Sequence, residues 1–373
     1  SCVQKYSFML KQQKIFFDFL RFCIGFAKEI PGSLKEVDWK ELYAIAQKQA
    51  LLGVLFHGIQ RLPKELAPEQ KLLMQWMVMA EQIRKQNIRL FLDSVKVCKN
   101  FENKDFANCI LKGQGNALLY PDPYIRTPGD IDIYLSGGRK KIMKYVDRVC
   151  PNQVMRYHHV DFPVMKTAIE VHFTPSYMFF PIHNSRIQKW FKEVMDLQCS
   201  NVVTLPDGYG EITVPTMSFN VIYILSHLYR HVFTEGIGLR QLIDYYFVLV
   251  KSEERRVKNL TALQRELKYL GLWKFAGAVM YVLHEVLGLP EAKMIAPIDV
   301  NEGRFLLAEI MQGGNFGQYD TRLGSKENEG KLHRYLRMNL RNLRFVKHYP
   351  TEALSEPLFR TWFALWKKIH GIK

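Results

Sequence analysis

Asp130 and Asp132, in Gly129-Asp130-Ile131-Asp132-Ile133-Tyr134-Leu135, are the residues best suited by type and spacing to do chemistry. If Ile131 to Leu135 is a strand, its side chains alternate between faces, so both carboxylates point one way while Ile131 and Ile133 point the other. Like charges a few ångströms apart repel, and aspartate is a poor strand former, so something positive must compensate them. A hard divalent cation, Mg2+ or Mn2+, is the simplest answer, because it takes carboxylate and phosphate oxygens together. A third carboxylate, Glu170, lies in Ala168-Ile169-Glu170-Val171-His172-Phe173, where the two-residue period puts it on one face with His172. Three carboxylates from two strands can hold two metal ions about 3.5 to 4 Å apart, the arrangement that clamps attacking and leaving oxygens in phosphoryl or nucleotidyl transfer. The rival reading is a set of solvated strand-edge acids. On the repulsion argument, Asp132→Asn leaves the metal-free fold as stable as before or slightly more so.

The surrounding residues add phosphate-binding types. In Lys112-Gly113-Gln114-Gly115, the lysine and the amides around the glycines suit a phosphate at a helix N-terminus, although the glycines could simply turn the chain. Arg126 carries a guanidinium fork for a triphosphate or a carboxylate, with a surface pair to Asp122 as the alternative. His172 could touch substrate or serve as a polar edge residue. His227 and His231 share a helix face; no suitably spaced third ligand accompanies them, so lining a cleft or packing is favoured over zinc. Arg240 and Asp244, also four apart, are spaced to pair with each other.

These residues need strands flanked by helices. Helical spacing of apolar residues runs from Tyr6 to about Lys104, with Pro31-Gly32 as an interruption and stretches at 38–52 and 68–99. Short β-rich runs then appear at 109–111, 131–135, 164–173, 202–205 and 211–214. Pro206-Asp207-Gly208 makes the last two a hairpin, and helical patterns at 116–119 and 140–149 lie between the runs. Helical spacing returns at 217–232, 239–250 and 260–287, and the Gly-, Asn- and Ser-rich segment 313–330 reads as a loop. The expectation is an α+β fold in three parts: a helical subdomain at 1–104, an α/β unit at 105–215 and a helical domain at 216–373.

Composition narrows the setting. With 373 residues and 48% hydrophobic content the chain can bury a full core, and length suggests two or three domains. A membrane helix needs about 18 or more nearly uninterrupted apolar residues, and no such run appears. The chain begins at Ser1 and not at a methionine, which leaves room for a removed upstream segment. Six cysteines scattered singly suit a reducing compartment, and the expected location is cytoplasmic. A net charge of +16 favours polyanions, nucleoside triphosphates or acidic surfaces. Between Lys331 and Lys347 the leucines at 332, 336, 340 and 343 form one stripe, with Arg334, Arg337, Arg341 and Arg344 on another face. The bland expectation is that the leucines pack and the arginines are solvated; the functional one is binding of RNA, an anionic lipid surface or an acidic partner.

The block Leu111-Lys112-Gly113, Leu119-Tyr120-Pro121, Arg126, Gly129-Asp130-Ile131-Asp132-Ile133 and Ile169-Glu170-Val171-His172-Phe173 resembles the uncharacterised bacterial nucleotidyltransferase family, a branch of the polymerase β-type superfamily. Asp38-Trp39, Leu42, Ala46 and Leu51-Leu52 upstream, with Ser226-His227, His231 and Leu239 to Asp244 downstream, extend the likeness over about residues 38 to 290. One departure is Gln114, where the superfamily usually has Ser or Gly after the first glycine. The resemblance implies a small mixed-sheet catalytic core between helical regions. It also implies Mg2+ or Mn2+ held by Asp130, Asp132 and Glu170, and a nucleoside triphosphate near Lys112, Gly113, Gln114 and Arg126. A nucleoside monophosphate would pass to a hydroxyl or amine of a small molecule, sugar, protein or RNA end, with the acceptor near His172, His227, Arg240 and Asp244. A non-catalytic nucleotide- or partner-binding module on the same fold, and RNA binding through the basic helix, are the competing readings.

Overall fold

The strand expected around the aspartate pair forms over Ile131–Leu135 (β2), with Ile131, Ile133 and Leu135 fully buried. The computed structural model describes residues 2–252, 260–324 and 330–372. Asn108–Leu111 (β1) runs antiparallel to β2 on one side, and Ile169–His172 (β4) runs parallel on the other. His159–Asp161 (β3) pairs antiparallel with β4, completing a mixed sheet ordered β1-β2-β4-β3. The register sets Asp132 beside Glu170 across the parallel pair and opposite Leu111 across the antiparallel one. The residue that follows Leu111 is therefore delivered to Asp132.

Helices Cys2–Cys23 (α1), Trp39–Lys48 (α2), Leu52–Ile59 (α3) and Gln70–Glu102 (α4) precede the sheet. Gly113–Ala117 (α5) and Gly138–Val149 (α6) interleave with it, and Pro181–Gln198 (α7) leads to the hairpin of Val202–Thr204 (β5) and Glu211–Thr213 (β6). Met217–Thr234 (α8), Leu239–Lys251 (α9), Leu260–Tyr269 (α10), Trp273–Tyr281 (α11), Val300–Gly313 (α12), Lys331–Val346 (α13) and Pro350–Ile369 (α14) follow. The result is the expected α+β arrangement of a small mixed sheet flanked by helices.

Three expectations change. The run 164–173 contributes only four residues to the sheet, and besides β2 it pairs with β3, which is too short to stand out from a two-residue period. Helix α7 falls where no element is expected; Pro181 opens it and Phe180 offers no capping side chain, so the usual start signal is missing. The stretches 38–52 and 260–287 are each divided, at Ala50 with φ +57° and at Gly271 with φ +76°. Between 313 and 324 the chain is irregular apart from one 3-10 turn, as expected for a loop; positions 325–329 lie outside the described residues.

Helix α4 runs through both hydrophobic cores. Its first half places Leu72, Trp76 and Ile83 among the apolar residues of α1 to α3 and α8 to α11, whereas Leu90, Phe91, Val95 and Phe101 pack with Ile110, Ile131, Ile133 and Val171 of the sheet. Asn87, between the halves, donates its side-chain amide to the carbonyls of Tyr124 and Arg126, fixing the loop that leads into β2. Arg126 then turns into the interior and donates Nε and Nη2 to the two carboxylate oxygens of Asp244 on α9, both at 2.8 Å. Tyr120 donates to the same carboxylate at 2.7 Å, and Arg240 donates to the carbonyl of Thr127 at 3.0 Å. Burial alone would raise the Asp244 carboxyl; Arg126 overcomes it and holds the pKa below the ordinary carboxylate range.

Removing one member of such a buried pair strands the other charge, a loss of about 3–5 kcal/mol, whereas replacing both with apolar side chains is far cheaper. Urea unfolding of Asp244→Ala is expected to show a loss of that size, and Arg126→Met combined with Asp244→Leu to recover most of it. Because the folded pKa of Asp244 lies below its unfolded value of about 3.9, this stabilisation is fully present above that pH and is lost below it, as the pH falls through the lower folded pKa.

Candidate active site

Lys112 leaves β1 with φ +52° and ψ −135°, a conformation that non-glycine residues rarely hold, and Gly113 continues at φ +40°. This tight turn brings the Lys112 ammonium to 3.1 Å from Asp132 Oδ2. From β4, His172 Nε2 donates to Asp132 Oδ1 at 2.9 Å and lies 3.6 Å from Glu170 Oε2. Glu170 is also 3.3 Å from His159 Nδ1 on β3. The sheet thus carries a ladder of acid and imidazole groups across β2, β4 and β3.

The charges sort unequally along it. Burial raises the Asp132 carboxyl, but Lys112 and then His172 overcome that and hold it well below the usual range. Burial likewise works against the ionised Glu170, and the contact with His172 brings it below its ordinary value. His172 is raised by these two acids despite complete burial, whereas burial and the neighbouring His172 lower His159 to about 3. Asp130 is the uncompensated member: repulsion from Asp132, then burial, then Glu170 push its carboxyl up to about 7. The expected relief on removing the Asp132 charge is therefore corrected, because Asp132 is the acid whose charge is paired.

One oxygen each from Asp132 and Glu170 and one nitrogen of His172 lie within 4.8 Å of one another, as do donor atoms of His158, His159 and His172, and of His159, Asp161 and Glu170. Buried nitrogens of His158, His159, His172 and His227 have no hydrogen-bond partner among the described residues. An excess acid at Asp130 beside these donors fits a divalent cation with carboxylate ligands.

The ladder forms one wall of a cavity of about 880 Å³ that Asp130, Asp132, Glu170, Lys112 and His227 line. His227 Nε2 is 3.3 Å from Lys112 Nζ. The cavity is also lined from α8, α13 and α14, with Arg230, Arg334, Arg337, Arg341 and Arg360 among rings of Tyr177, Phe359 and Phe363. Arg230 and Arg341 are both 8% exposed, and Arg341 Nη1 has no hydrogen-bond partner among the described residues.

Asp130, Asp132, Glu170, Lys112 and His227 are thus brought together at the cavity, with His172 directly behind Asp132. Gly113 and Gln114 lie beneath the wall, Gln114 buried in a helix of five residues. Arg126, Arg240 and Asp244 also lie off the cavity lining. Arg126 pairs with Asp244 and neither with Asp122 nor at the surface, and the α9 helix face expected to join Arg240 to Asp244 gives Asp244 to Arg126 instead. His159, His158, Arg230 and Arg341 were not singled out for this site. The doublet His158-His159 beside Val160 was the available signal, but only the fold shows that His159 meets Glu170.

The centre is thus a small mixed sheet carrying an acid–imidazole cluster that opens on a cavity lined by several arginines. The chain belongs to the uncharacterised nucleotidyltransferase family, whose sequence profile matches residues 35–288. No curated protein matches the chain, and no solved structure does. No described helix is long and apolar enough to cross a membrane, and Cys23, Cys98, Cys109, Cys150 and Cys199 are unpaired.

Since the folded pKa of Asp130 exceeds its unfolded value, ionising it destabilises the metal-free fold between about pH 4 and about pH 7, with the loss complete above that. Melting curves in chelator are expected to show Asp130→Asn gaining stability over the native chain as the pH rises through this window. Asp132→Asn, which leaves Lys112 and His172 without their acid, loses about 1–3 kcal/mol at neutral pH. Identical pH slopes for the native chain and Asp130→Asn would contradict the first expectation, and a more stable Asp132→Asn the second.

Proposed function

We propose that this protein transfers a nucleoside monophosphate from a nucleoside triphosphate to a hydroxyl or amine acceptor and releases pyrophosphate. The observation that carries the reading is the pairing of Asp132 with Glu170 on adjacent parallel strands, with Asp130 beside them, in a cavity that Arg230, Arg334, Arg337, Arg341 and Arg360 also line. Asp130, Asp132 and Glu170 would hold Mg2+ or Mn2+, which supplies charge neutralisation at the transferring phosphoryl group.

The protein's own groups divide the remaining work. Lys112 at the mouth of the turn after β1 would neutralise phosphate oxygens. Arg230 and Arg341, which line the same cavity, would offer guanidinium donors to that charge. The acceptor oxygen or nitrogen forms its bond to the α-phosphorus as the bond to the β-phosphate bridging oxygen breaks. Glu170, ionised at neutral pH, is placed to take the acceptor's proton. Most of the rate then comes from positioning and charge complementarity. Arg126, Asp244, Arg240 and Asn87 act at a distance, holding the loop that presents Asp130.

Ligand pockets commonly measure about 300–1,000 Å³, so this cavity is near the upper end, which supports a small acceptor seated beside the nucleotide. Nucleic-acid binding through α13 is less favoured, because Arg341 faces inward. Incubation with α-labelled nucleoside triphosphates and a panel of small-molecule, sugar, protein and RNA acceptors is expected to give labelled product and pyrophosphate. Asp132→Asn and Glu170→Gln should lower kcat at least about a hundredfold, whereas Arg341→Ala should act mainly on KM. Undiminished turnover in Asp132→Asn would place the chemistry elsewhere.

A further inference from the structure

Helices α13 and α14 form an antiparallel pair joined by Asn342–Glu356, Asn339–Arg360 and Tyr335–Thr361 contacts. Their cavity side holds Arg334, Arg337, Arg341, Phe359, Arg360 and Phe363. The leucines expected to pack lie elsewhere: Leu332, Leu336, Leu340 and Leu343 are 73%, 53%, 54% and 63% exposed. On α14, Leu354, Leu358, Trp362, Leu365 and Ile369 repeat the same three- and four-residue spacing and are all at least half exposed. None of these nine side chains lines the cavity. With 3.6 residues per turn, each row sits on the same side of the contact line between two antiparallel helices, so the rows merge into one apolar face turned away from the cavity. Such a continuous apolar face marks an interaction surface, whereas scattered exposed leucines do not.

The charge around the face selects its occupant. Between 331 and 372 the only carboxylates are Glu352 and Glu356, each 1% exposed, so the hairpin presents no acid to solvent. Lys347 and Lys368 are exposed beside the apolar rows. A second copy of the chain would bring two cationic rims together and repel. RNA would meet leucine side chains where it needs stacking rings. An anionic bilayer satisfies both features, taking apolar side chains below the headgroups, Trp362 at the interface and basic residues at the phosphates. We infer that the outer face of the α13–α14 hairpin docks the protein on an anionic lipid surface, with the helices lying in the interface plane.

Sedimentation of the full chain with vesicles of phosphatidylcholine alone, or of phosphatidylcholine mixed with phosphatidylglycerol, tests this. Binding is expected only to the mixed vesicles and should weaken as salt is raised. Leu336→Ser combined with Leu340→Ser and Leu358→Ser should weaken it at least about tenfold with an unchanged circular dichroism spectrum. Lys347→Glu with Lys368→Glu, which leaves the apolar rows intact, should do the same and covers the case in which the serine variant misfolds. The inference is overturned if the native chain stays in solution with both vesicles, if it binds both equally, or if the charge variant binds undiminished. A dimer in analytical ultracentrifugation that the serine substitutions dissociate would assign the face to a second copy. Capture of RNA abolished by the charge variant, without vesicle binding, would assign it to nucleic acid.

Discussion

Everything at this site depends on the charge balance around Asp132. A carboxylate 5% exposed on a central strand survives only if positive groups meet it, and here Lys112 and His172 do so from the two flanking strands. The antiparallel register with β1 brings Lys112 into place, and the parallel register with β4 brings His172 and Glu170. Lys112 even accepts an unfavourable backbone conformation to reach the acid. Two partners satisfy one acid and leave the second, Asp130, in excess. That imbalance is the feature on which the proposed cation site rests.

The wider fold keeps this arrangement rigid on one side and open on the other. On the rigid side, Asn87, Arg126, Arg240 and Asp244 tie the loop before β2 to α4 and α9 with hydrogen bonds in the interior. On the open side, α8, α13 and α14 contribute guanidinium groups to the cavity lining. Helix α13 has the reverse of the usual amphipathic orientation, with arginines toward the protein and leucines toward solvent. The inward arginines are consistent with an anionic ligand in the cavity, and the outward leucines call for a separate apolar surface.

Much of the architecture was legible because the strongest patterns are local. The β2 span and the hairpin turn at 206–208 follow from alternation and turn residues, and the family likeness expected over about 38 to 290 meets a matched span of 35–288. What was not legible depends on which strands become neighbours. β3 is three residues long, so nothing in its own composition announces that His159 reaches Glu170. Asp244 follows Arg240 by one helical turn and spacing favours that pair, but the loop carrying Arg126 crosses the same helix and offers a bidentate partner. Periodicity separated the leucines of α13 from its arginines correctly; which face turned inward depended on a cavity that periodicity does not encode.

The central claim is that the carboxylate centre accepts triphosphate only when divalent cations offset its charge. Isothermal titration of the full chain with a non-hydrolysable nucleoside triphosphate, in Mg2+ or Mn2+ and again in chelator, measures this directly. The account predicts binding with metal, a loss of at least about tenfold in affinity in chelator, and a similar loss in Asp132→Asn with metal present. Equal affinity with and without metal would contradict it.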